Sequence, residues 1–157
     1  MLDLHPPGPD NRYHQAHVEL LLDSYRRLLG KPMPDTTGDD LGRVIYEADF
    51  ALLSHNTDPD PLFNYGNRTA LGLFELTWQE LVGMPSRFSA EPVNREERER
   101  LLAQVTRDGY IDHYAGIRIA QSGKRFMIQN AVVWNVHDRE GNYYGQAAWF
   151  KEWDWVE

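Results

Sequence analysis

Three strand-like runs follow one another in the last third of the chain, and this pattern restricts the possible folds more than any other feature. From Tyr110 onward, helical spacing gives way to the short runs YIDHYAGIRIA, RFMIQNAVVWNV and YYGQAAWF. The connecting segments QSGK and HDREGN are rich in turn-forming residues. Consecutive strands joined by short turns pair antiparallel. The chain is therefore predicted to contain a three-stranded meander against which its earlier segments pack.

The segments ahead of the meander carry helical periodicity and turn signals. Residues 11–30 are predicted to form an amphipathic helix, because apolar residues recur at helical spacing and Gly30 ends the pattern. Residues 1–10 are expected to be a flexible tail, and residues 31–48 a linker that contains one short helix. A strand, FALLSH, is predicted to begin at Phe50.

Two short helices are predicted within the segment NYGNRTALGLFELTWQELVG. Asn67 stands at the N-cap position of the first helix. Thr77 and Glu80 have the spacing of a capping box at the start of the second helix. These caps account for the polar residues of the segment without catalytic chemistry.

A longer helix is predicted over residues 94–108, with Asn94 as its cap. The element order is then strand, short helices, longer helix and three strands. This order predicts an α+β domain over residues 49–157. It would contain about five antiparallel strands, with short helices on one face and the N-terminal helix as a cap.

Charge and cysteine content exclude several classes of function. The chain has 16 basic and 24 acidic residues, a formal net charge of -8, which argues against a nucleic-acid partner. The absence of cysteine excludes disulfides, thiolate nucleophiles and Cys-ligated metals. No apolar run reaches the roughly 18 residues of a membrane span, and the start lacks the pattern of a secretion signal. We expect a cytoplasmic protein without a membrane partner.

Several short motifs of the chain resemble those of PAS domains. Tyr65, Asn67 and Ala70 match the Tyr-x-Asn-x-x-Ala pattern of the first short helix, and TWQELVG follows as a T-x-E-E-L-I-G type segment does. NREERER and SGKR are similar to the next helix and hairpin, and DREG to the last turn. The resemblance covers about residues 50–150. It implies a PAS-like fold with a cavity between the sheet and the helices.

Two segments are similar to one branch of PAS-like domains, the MEKHLA domain. They are PLFNYGNRTALGLFELTWQELVGMPSRFSAEP and GQAAWF. In plants this domain lies at the C-terminus of class III homeodomain–leucine zipper transcription factors, and bacteria carry it as a small protein. The present chain resembles the bacterial stand-alone form. The resemblance implies a non-catalytic sensory or regulatory domain and names no ligand.

The candidate cavity residues follow from the resemblance and from the alternation of the meander. Along RFMIQNAVVWNV, counting from the hairpin places the face with Gln129 and Asn135 toward the cavity and the face with Ile128 and Trp134 outward. The predicted lining residues are Tyr65, Ser86, Phe88, Arg118, Gln129, Val133, Asn135 and Ala147.

The cofactor remains open. The segment GMPSRF is similar to the corresponding segment of light-oxygen-voltage domains, but Ser86 stands where those domains have their adduct-forming cysteine. A serine hydroxyl cannot form that adduct, so the alternative is a flavin-binding redox sensor without photochemistry. Haem is disfavoured, because the resemblance to PAS domains implies an axial histidine on the long helix and residues 94–108 contain none. His14 and His17 share a helical face without a third ligand nearby, so no metal site is predicted.

An enzyme is the second alternative. Ser54, His55, Asp58 and Asp60 supply the residue types of a hydrolase, a nucleophile, a base and an acid. The glycines of a nucleophile elbow are missing around Ser54. A catalytic role is therefore not expected.

The apolar face of the N-terminal helix must be covered, either by its own domain or by a second copy. The aromatic segment WFKEWDW presents the same choice. If the cover is a second copy, the protein is a homodimer. The interface candidates are then Val18, Leu21, Leu22, Tyr25, Leu28, Trp134 and Trp149.

Overall fold

One antiparallel sheet organises the molecule. The computed structural model describes residues 5–34, 36 and 38–157, so residues 1–4 of the predicted tail lie outside the described residues. Within this part the strands are β1 (Ala51–His55), β2 (Phe63–Gly66), β3 (Tyr110–Ile119), β4 (Arg125–His137), β5 (Tyr143–Phe150) and β6 (Glu152–Val156). The order is β2-β1-β5-β4-β3, and β6 follows β5 and pairs with β4. The predicted α+β class and meander are confirmed.

Helices cover both faces of the sheet. They are α1 (Gln15–Leu29), α2 (Leu41–Tyr46), α3 (Arg68–Phe74), α4 (Trp78–Leu81) and α5 (Pro92–Asp108), with 3₁₀ turns at Pro9–His14 and Ser86–Ser89. Helix α1 packs on β4, and α5 contacts β3 and β4 from the opposite face. In the described ranges, no helix has the length and apolar character that crossing a bilayer requires.

The N-terminal helix is shorter at its start than residues 11–30. Arg12, Tyr13 and His14 have φ of 51°, 54° and 56°, a left-handed backbone that cannot continue an α-helix. The regular helix therefore begins at Gln15. It ends where predicted, at Gly30, whose φ of 75° suits a glycine cap.

Helix α1 covers the outer face of its own sheet. The Trp134 indole donates a hydrogen bond to the Leu21 carbonyl at 3.1 Å, and its ring meets that of Tyr25 edge-on at 5.0 Å. Of the residues expected at a dimer interface, five are buried within the chain and two, Leu28 and Trp149, pack partly buried against the core. The five are Val18, Leu21, Leu22, Tyr25 and Trp134. This corrects the predicted interface, because the domain itself supplies the cover.

The two short helices begin at the predicted caps. The Asn67 side chain accepts hydrogen bonds from the Ala70 and Leu52 amides at 3.0 and 3.1 Å. Thr77 and Glu80 form the reciprocal capping box, at 2.9 and 3.1 Å. The structure confirms both caps.

Helix α5 begins two residues before the predicted start. Pro92 takes the first helical position, where its missing N–H costs nothing, and Glu91 is the N-cap residue. Asn94 thus lies inside the first turn and is not the cap.

Two bulges interrupt the β3–β4 ladder and change which residues face the helices. The register slips at His113 in β3 and at Asn130 in β4, where φ is 54° and 53°. As a result, Ile128 and Val133 share the inner face although they are an odd number of residues apart. Gln129 is turned outward, and its amide donates to the Asp154 carboxylate of β6. The expected inward orientation of Gln129 is therefore wrong.

Candidate functional site

A cavity of about 70 Å³ lies between the inner face of the sheet and helix α5. Its walls are largely apolar, and the polar groups are concentrated in a few side chains. Leu102 of α5 and Ala148 of β5, which line the cavity, keep part of their surface exposed. The lining residues are Leu53, Ser54, His55, Phe63, Phe74, Ser89, Arg98, Leu102, Arg118, Ile128, Val133, Gln146, Ala147, Ala148 and Phe150.

Two arginines form the charged part of the wall. Arg98 of α5 and Arg118 of β3 are only 6% and 7% exposed. The Arg98 guanidinium donates to Ser86 Oγ at 2.6 Å. The Arg118 guanidinium donates to Tyr114 Oη at 3.1 Å and to the Ile117 carbonyl at 2.9 Å. All of these acceptors are neutral.

Neither guanidinium has an anionic partner in the ranges 5–34, 36 and 38–157. No carboxylate there forms an ion pair with Arg98 or Arg118. Glu97 is reached only indirectly, because Tyr114 Oη donates to its carboxylate at 3.1 Å. Burial lowers the pKa of Arg98 to about 10, and the neighbouring positive charge of Arg118 acts in the same direction, while Tyr114 and the more distant carboxylates of Glu99 and Asp60 act in the opposite one. The site therefore concentrates positive charge inside a chain whose net charge is -8.

The absence of a side chain at Gly116 makes room for the Tyr114–Arg118 pair. A Cβ at this position would lie 2.1 Å from Tyr114 Oη and 3.1 Å from the Arg118 Nη1 nitrogen. Gly116 thus places the phenol and the guanidinium side by side on one strand.

His55 contributes a buried imidazole to the same cavity. Burial lowers its pKa to about 4, so the ring is neutral near pH 7. Its Nδ1 atom lies 3.1 Å from the Asn56 carbonyl. Its Nε2 atom is buried without a hydrogen bond of acceptable geometry to the described residues, although the Gln146 side chain is near enough to influence the ring.

A polar network joins the cavity wall to both helices. Gln146 donates from its amide to Asn135 Oδ1 at 3.1 Å and to Thr106 Oγ1 at 3.1 Å. The Asn135 amide donates to the Val105 carbonyl of α5 at 2.9 Å. On the other face, Ser24 Oγ of α1 donates to the Asn135 carbonyl at 2.7 Å. A displacement at Gln146 therefore has a hydrogen-bonded route to α1.

The predicted lining residues divide into three groups. Arg118, Val133 and Ala147 lie on the cavity wall. Ser86 and Asn135 are buried just behind it and bond Arg98 and Gln146, which line it.

The remaining predicted residues lie away from the cavity. Tyr65 packs against His17 and Trp78 near α1, with ring centroids 5.7 and 5.9 Å apart. Phe88 is 45% exposed and stacks with Arg87, 4.4 Å from the ring centroid. Gln129 faces outward because of the bulge.

Three polar residues of the cavity wall were not among the lining residues predicted from the sequence. Arg98 lies in the highly charged NREERER segment, and such a segment predicts that each of its arginines is exposed to solvent. Its spacing of four from Leu102 and seven from Val105, both on the face toward the sheet, was the available signal. The predicted lining residue Ala147 is the neighbour of Gln146, which was not predicted. The sequence indicates His55 only as a possible catalytic base.

The residue types that a hydrolase would need lie in different surroundings in the structure. Ser54 is 3% exposed, and its hydroxyl donates to Asn64 Oδ1 at 2.5 Å and lies 3.0 Å from His17 Nε2 of α1. His55 points to the cavity instead. Asp58 accepts from the Asp60 amide at 3.0 Å in a turn. The described residues contain no group of three or more His, Cys, Asp or Glu side chains that could hold a metal.

A larger groove of about 610 Å³ lies outside the cavity, against α1. It is open to solvent and lined by charged side chains such as Glu19, Asp23 and Arg139. These charges pair with one another, as Arg139 and Asp23 do at 3.2 Å. We therefore place the candidate site in the inner cavity, where the buried His55 Nε2 has no partner among the described residues and two buried arginines have no ion pair.

Solved structures define the class of the fold. The PAS domain of a protein from Colwellia psychrerythraea superimposes with a TM-score of 0.60, at 10% identity over 73% of this chain and 92% of that one. A light-oxygen-voltage domain studied with a flavin analogue gives 0.60, at 17% identity, covering 76% of this chain and 86% of that one. The predicted PAS-like fold is confirmed; identities this low show the fold alone.

The MEKHLA domain model matches residues 15–155, and the chain belongs to the MEKHLA domain family. The match begins at the first residue of α1. The homeobox-leucine zipper protein HOX9 of Oryza sativa subsp. indica is 21% identical over 139 residues. That alignment covers 87% of this chain and 16% of the relative, so this chain spans only a small part of the relative's length.

The cavity does not fit a flavin. Ligand pockets for molecules of that size usually measure roughly 300–1,000 Å³, against about 70 Å³ here. Arg98 and Phe74 occupy parts of its wall, and Ser86 is fully buried and committed to Arg98. The cavity suits a much smaller molecule.

Proposed function

We propose that this chain is a non-catalytic sensory or regulatory domain that binds a small molecule in the cavity between the sheet and α5. One observation carries the proposal. The cavity is lined by buried polar groups whose hydrogen-bonding capacity is not used within the described chain, above all His55 Nε2. Buried polar groups are normally satisfied, and exceptions mark functional sites. A bound molecule would satisfy them.

The proposed response runs from the cavity to helix α1. A ligand that displaced Gln146 would disturb its bond to Asn135, whose carbonyl is held by Ser24 of α1. The position of α1 on the sheet would then depend on occupancy. Because α1 covers the outer face, such a shift would change the surface that the domain presents to a partner.

The membership of the family supports a regulatory role as well. HOX9, a homeobox-leucine zipper protein, contains a region similar to most of this chain. We infer that the domain supplies a binding or sensing function here, as one part of a larger regulatory process.

Self-association is a separate proposal and needs a surface other than the predicted one. Val18 and Leu21 of α1 and Trp134 of β4 are fully buried where this helix packs on the sheet. A homodimer would therefore use residues that remain exposed. Trp155, which is 56% exposed, has the largest side chain among the exposed hydrophobic residues that the structure describes. Sedimentation equilibrium of the purified chain and of Trp155→Ala tests this surface; a dimer unaffected by the substitution would exclude it.

Filling the cavity tests the ligand-binding proposal. Ala148→Leu places an isobutyl group in the space that a ligand would take, and should raise the melting temperature of the free protein. A panel of small organic acids, amides and alcohols is screened by thermal shift against the parent and this variant. We expect at least one panel member to stabilise the parent and none to stabilise Ala148→Leu.

The control is Ala103→Leu, the same change at an exposed position of α5. It should keep every ligand-induced shift of the parent. A panel that stabilised all three proteins equally, or none of them, would contradict a ligand site in this cavity.

A further inference from the structure

We infer that the ligand is a small monocarboxylate, with its carboxylate held by Arg98 and Arg118 and a short apolar body among the aliphatic and aromatic wall residues. This inference rests on the proposed function and names its ligand class. It depends on three features of the cavity: unpaired buried charge, unused donors and size.

Charge is the first feature. Arg98 and Arg118 are each more than nine-tenths buried as whole residues, and both line one cavity. Arginine stays protonated in proteins, so both groups carry their charge inside the fold. A buried charge without an ionic partner is unfavourable, because desolvation is not offset by an ion pair. An anion in the cavity would remove this penalty for both residues together.

Unused hydrogen-bond donors are the second feature. A guanidinium has five N–H donors in a planar fork that matches a carboxylate. Arg98 makes one side-chain hydrogen bond, to Ser86 Oγ, and Arg118 makes two. The other nitrogens of each guanidinium make no hydrogen bond within the described residues, and each of them keeps some solvent-accessible surface. His55 Nε2, also buried there, adds another polar contact for a carboxylate or its neighbouring atom.

Size and wall chemistry are the third feature. The volume of about 70 Å³ excludes large anions such as nucleotides. The remaining wall consists of side chains such as Leu53, Leu102 and Ile128, which favour a hydrocarbon body over a second charged group. A cation is excluded by the two arginines. A short-chain monocarboxylate meets all of these conditions.

Isothermal calorimetry with matched probes tests the inference. Butyrate is compared with butyramide, which has the same carbon chain without the charge, and with inorganic phosphate. We expect butyrate to bind the parent and butyramide to bind at least about tenfold more weakly, since hydrogen bonds to charged groups contribute more than neutral ones. Preferred binding of phosphate would overturn the carboxylate assignment.

Variants then assign the two arginines. Arg98→Met and Arg118→Met remove the charge and keep apolar volume, and each should weaken butyrate about tenfold or more. Arg100→Met is the control, because Arg100 lies on the same helix with its side chain 69% exposed and pairs with Glu96. It should bind butyrate as the parent does. Equal affinity in all three variants would overturn the inference.

A measurement on the unsubstituted protein guards against loss of folding. The Nε–Hε signals of Arg98 and Arg118 are followed by NMR during butyrate and butyramide titrations. Both signals should move with butyrate only. Movement of neither would overturn the inference, whatever the variants do.

The two proposals fail differently. If neutral panel members bind the parent as well as butyrate does and are blocked by Ala148→Leu, the carboxylate inference is overturned and the ligand cavity stands. If no probe binds and Ala148→Leu changes nothing, the proposed function itself is overturned.

Discussion

Buried polar residues of this chain are of two kinds, and the difference separates structural from functional positions. Asn67 is completely buried, and its amide donates to the Ile45 and Phe50 carbonyls at 2.9 and 2.8 Å while its oxygen accepts from two amides. Every polar atom of that side chain has a partner. Arg98 and His55, also buried, keep unused capacity toward a cavity. Satisfied groups stabilise the fold, and unsatisfied ones indicate a site.

Asn67 belongs to the structural kind, so its replacement is predicted to cause a large loss of stability. Asn67→Ala removes the side-chain partner of four backbone groups, of which the Ile45 carbonyl keeps a bond from the Ala48 amide. Each buried group left unsatisfied costs about 1–3 kcal/mol. We expect the free energy of unfolding to fall by at least about 3 kcal/mol in urea denaturation. Thr77→Ala removes an exposed cap and should cost about 1 kcal/mol. Similar losses for both variants would contradict the role given to Asn67.

The buried His55 and the partly buried His17 predict acid sensitivity. Burial lowers the pKa of His17 and of His55 to about 4, from 6.5 in an unfolded chain. The unfolded state therefore binds more protons between these values, and stability falls as the pH decreases through this window. From pH 7 to pH 5, each residue should contribute a loss of about 2 kcal/mol.

Urea midpoints at pH 7, 6 and 5 measure this effect. The double variant His17→Gln, His55→Gln should have a flatter dependence than the parent over the same range. A parent midpoint that did not change between pH 7 and pH 5 would show that neither histidine is held neutral.

At the scale of elements, local signals predicted starts and ends better than they predicted faces. The cap bonds of Asn67 and Thr77 are made to amides three residues later, so their sequence context sufficed. The orientation of Gln129 depends on how β3 and β4 pair, because compensating bulges at His113 and Asn130 shift the alternation. No residue pattern along one strand contains that information. For the same reason the burial of Arg98 could not be predicted, since it depends on the surface that α5 covers.

Glycine positions in two elements predict opposite effects of the same substitution. Gly72 lies in α3 with open space where an added methyl group would lie, so Gly72→Ala should stabilise by about 0.5–1 kcal/mol. At Gly116 the methyl group would collide with Tyr114, and overpacking of this kind costs about 1–3 kcal/mol. Thermal denaturation distinguishes them. Destabilisation by both, or by neither, would contradict the packing described around Tyr114 and Arg118.

At the scale of the whole molecule, one sheet separates two surfaces with different roles. Helix α1 fills the outer face through Tyr25 and Trp134, and the buried Trp134 indole has its hydrogen-bond acceptor there. The inner face, under α5, holds the cavity. The α+β class, the meander and the cap helix could be predicted because periodicity and caps are local. The composition of the cavity wall could not be predicted, because the wall combines residues from several elements, among them β1, α5, β3, β4 and β5.

Methyl NMR of the unsubstituted protein tests most directly whether the cavity under α5 binds a small carboxylate. The methyl signals of Leu53, Leu102 and Val133, which line the cavity, are followed during addition of butyrate together with those of Val44 on α2 and Val156 on β6. We predict saturable shifts of the three cavity residues, with Val44 and Val156 changing little. Shifts confined to Val44 and Val156, or none at all, would contradict a carboxylate site in this cavity.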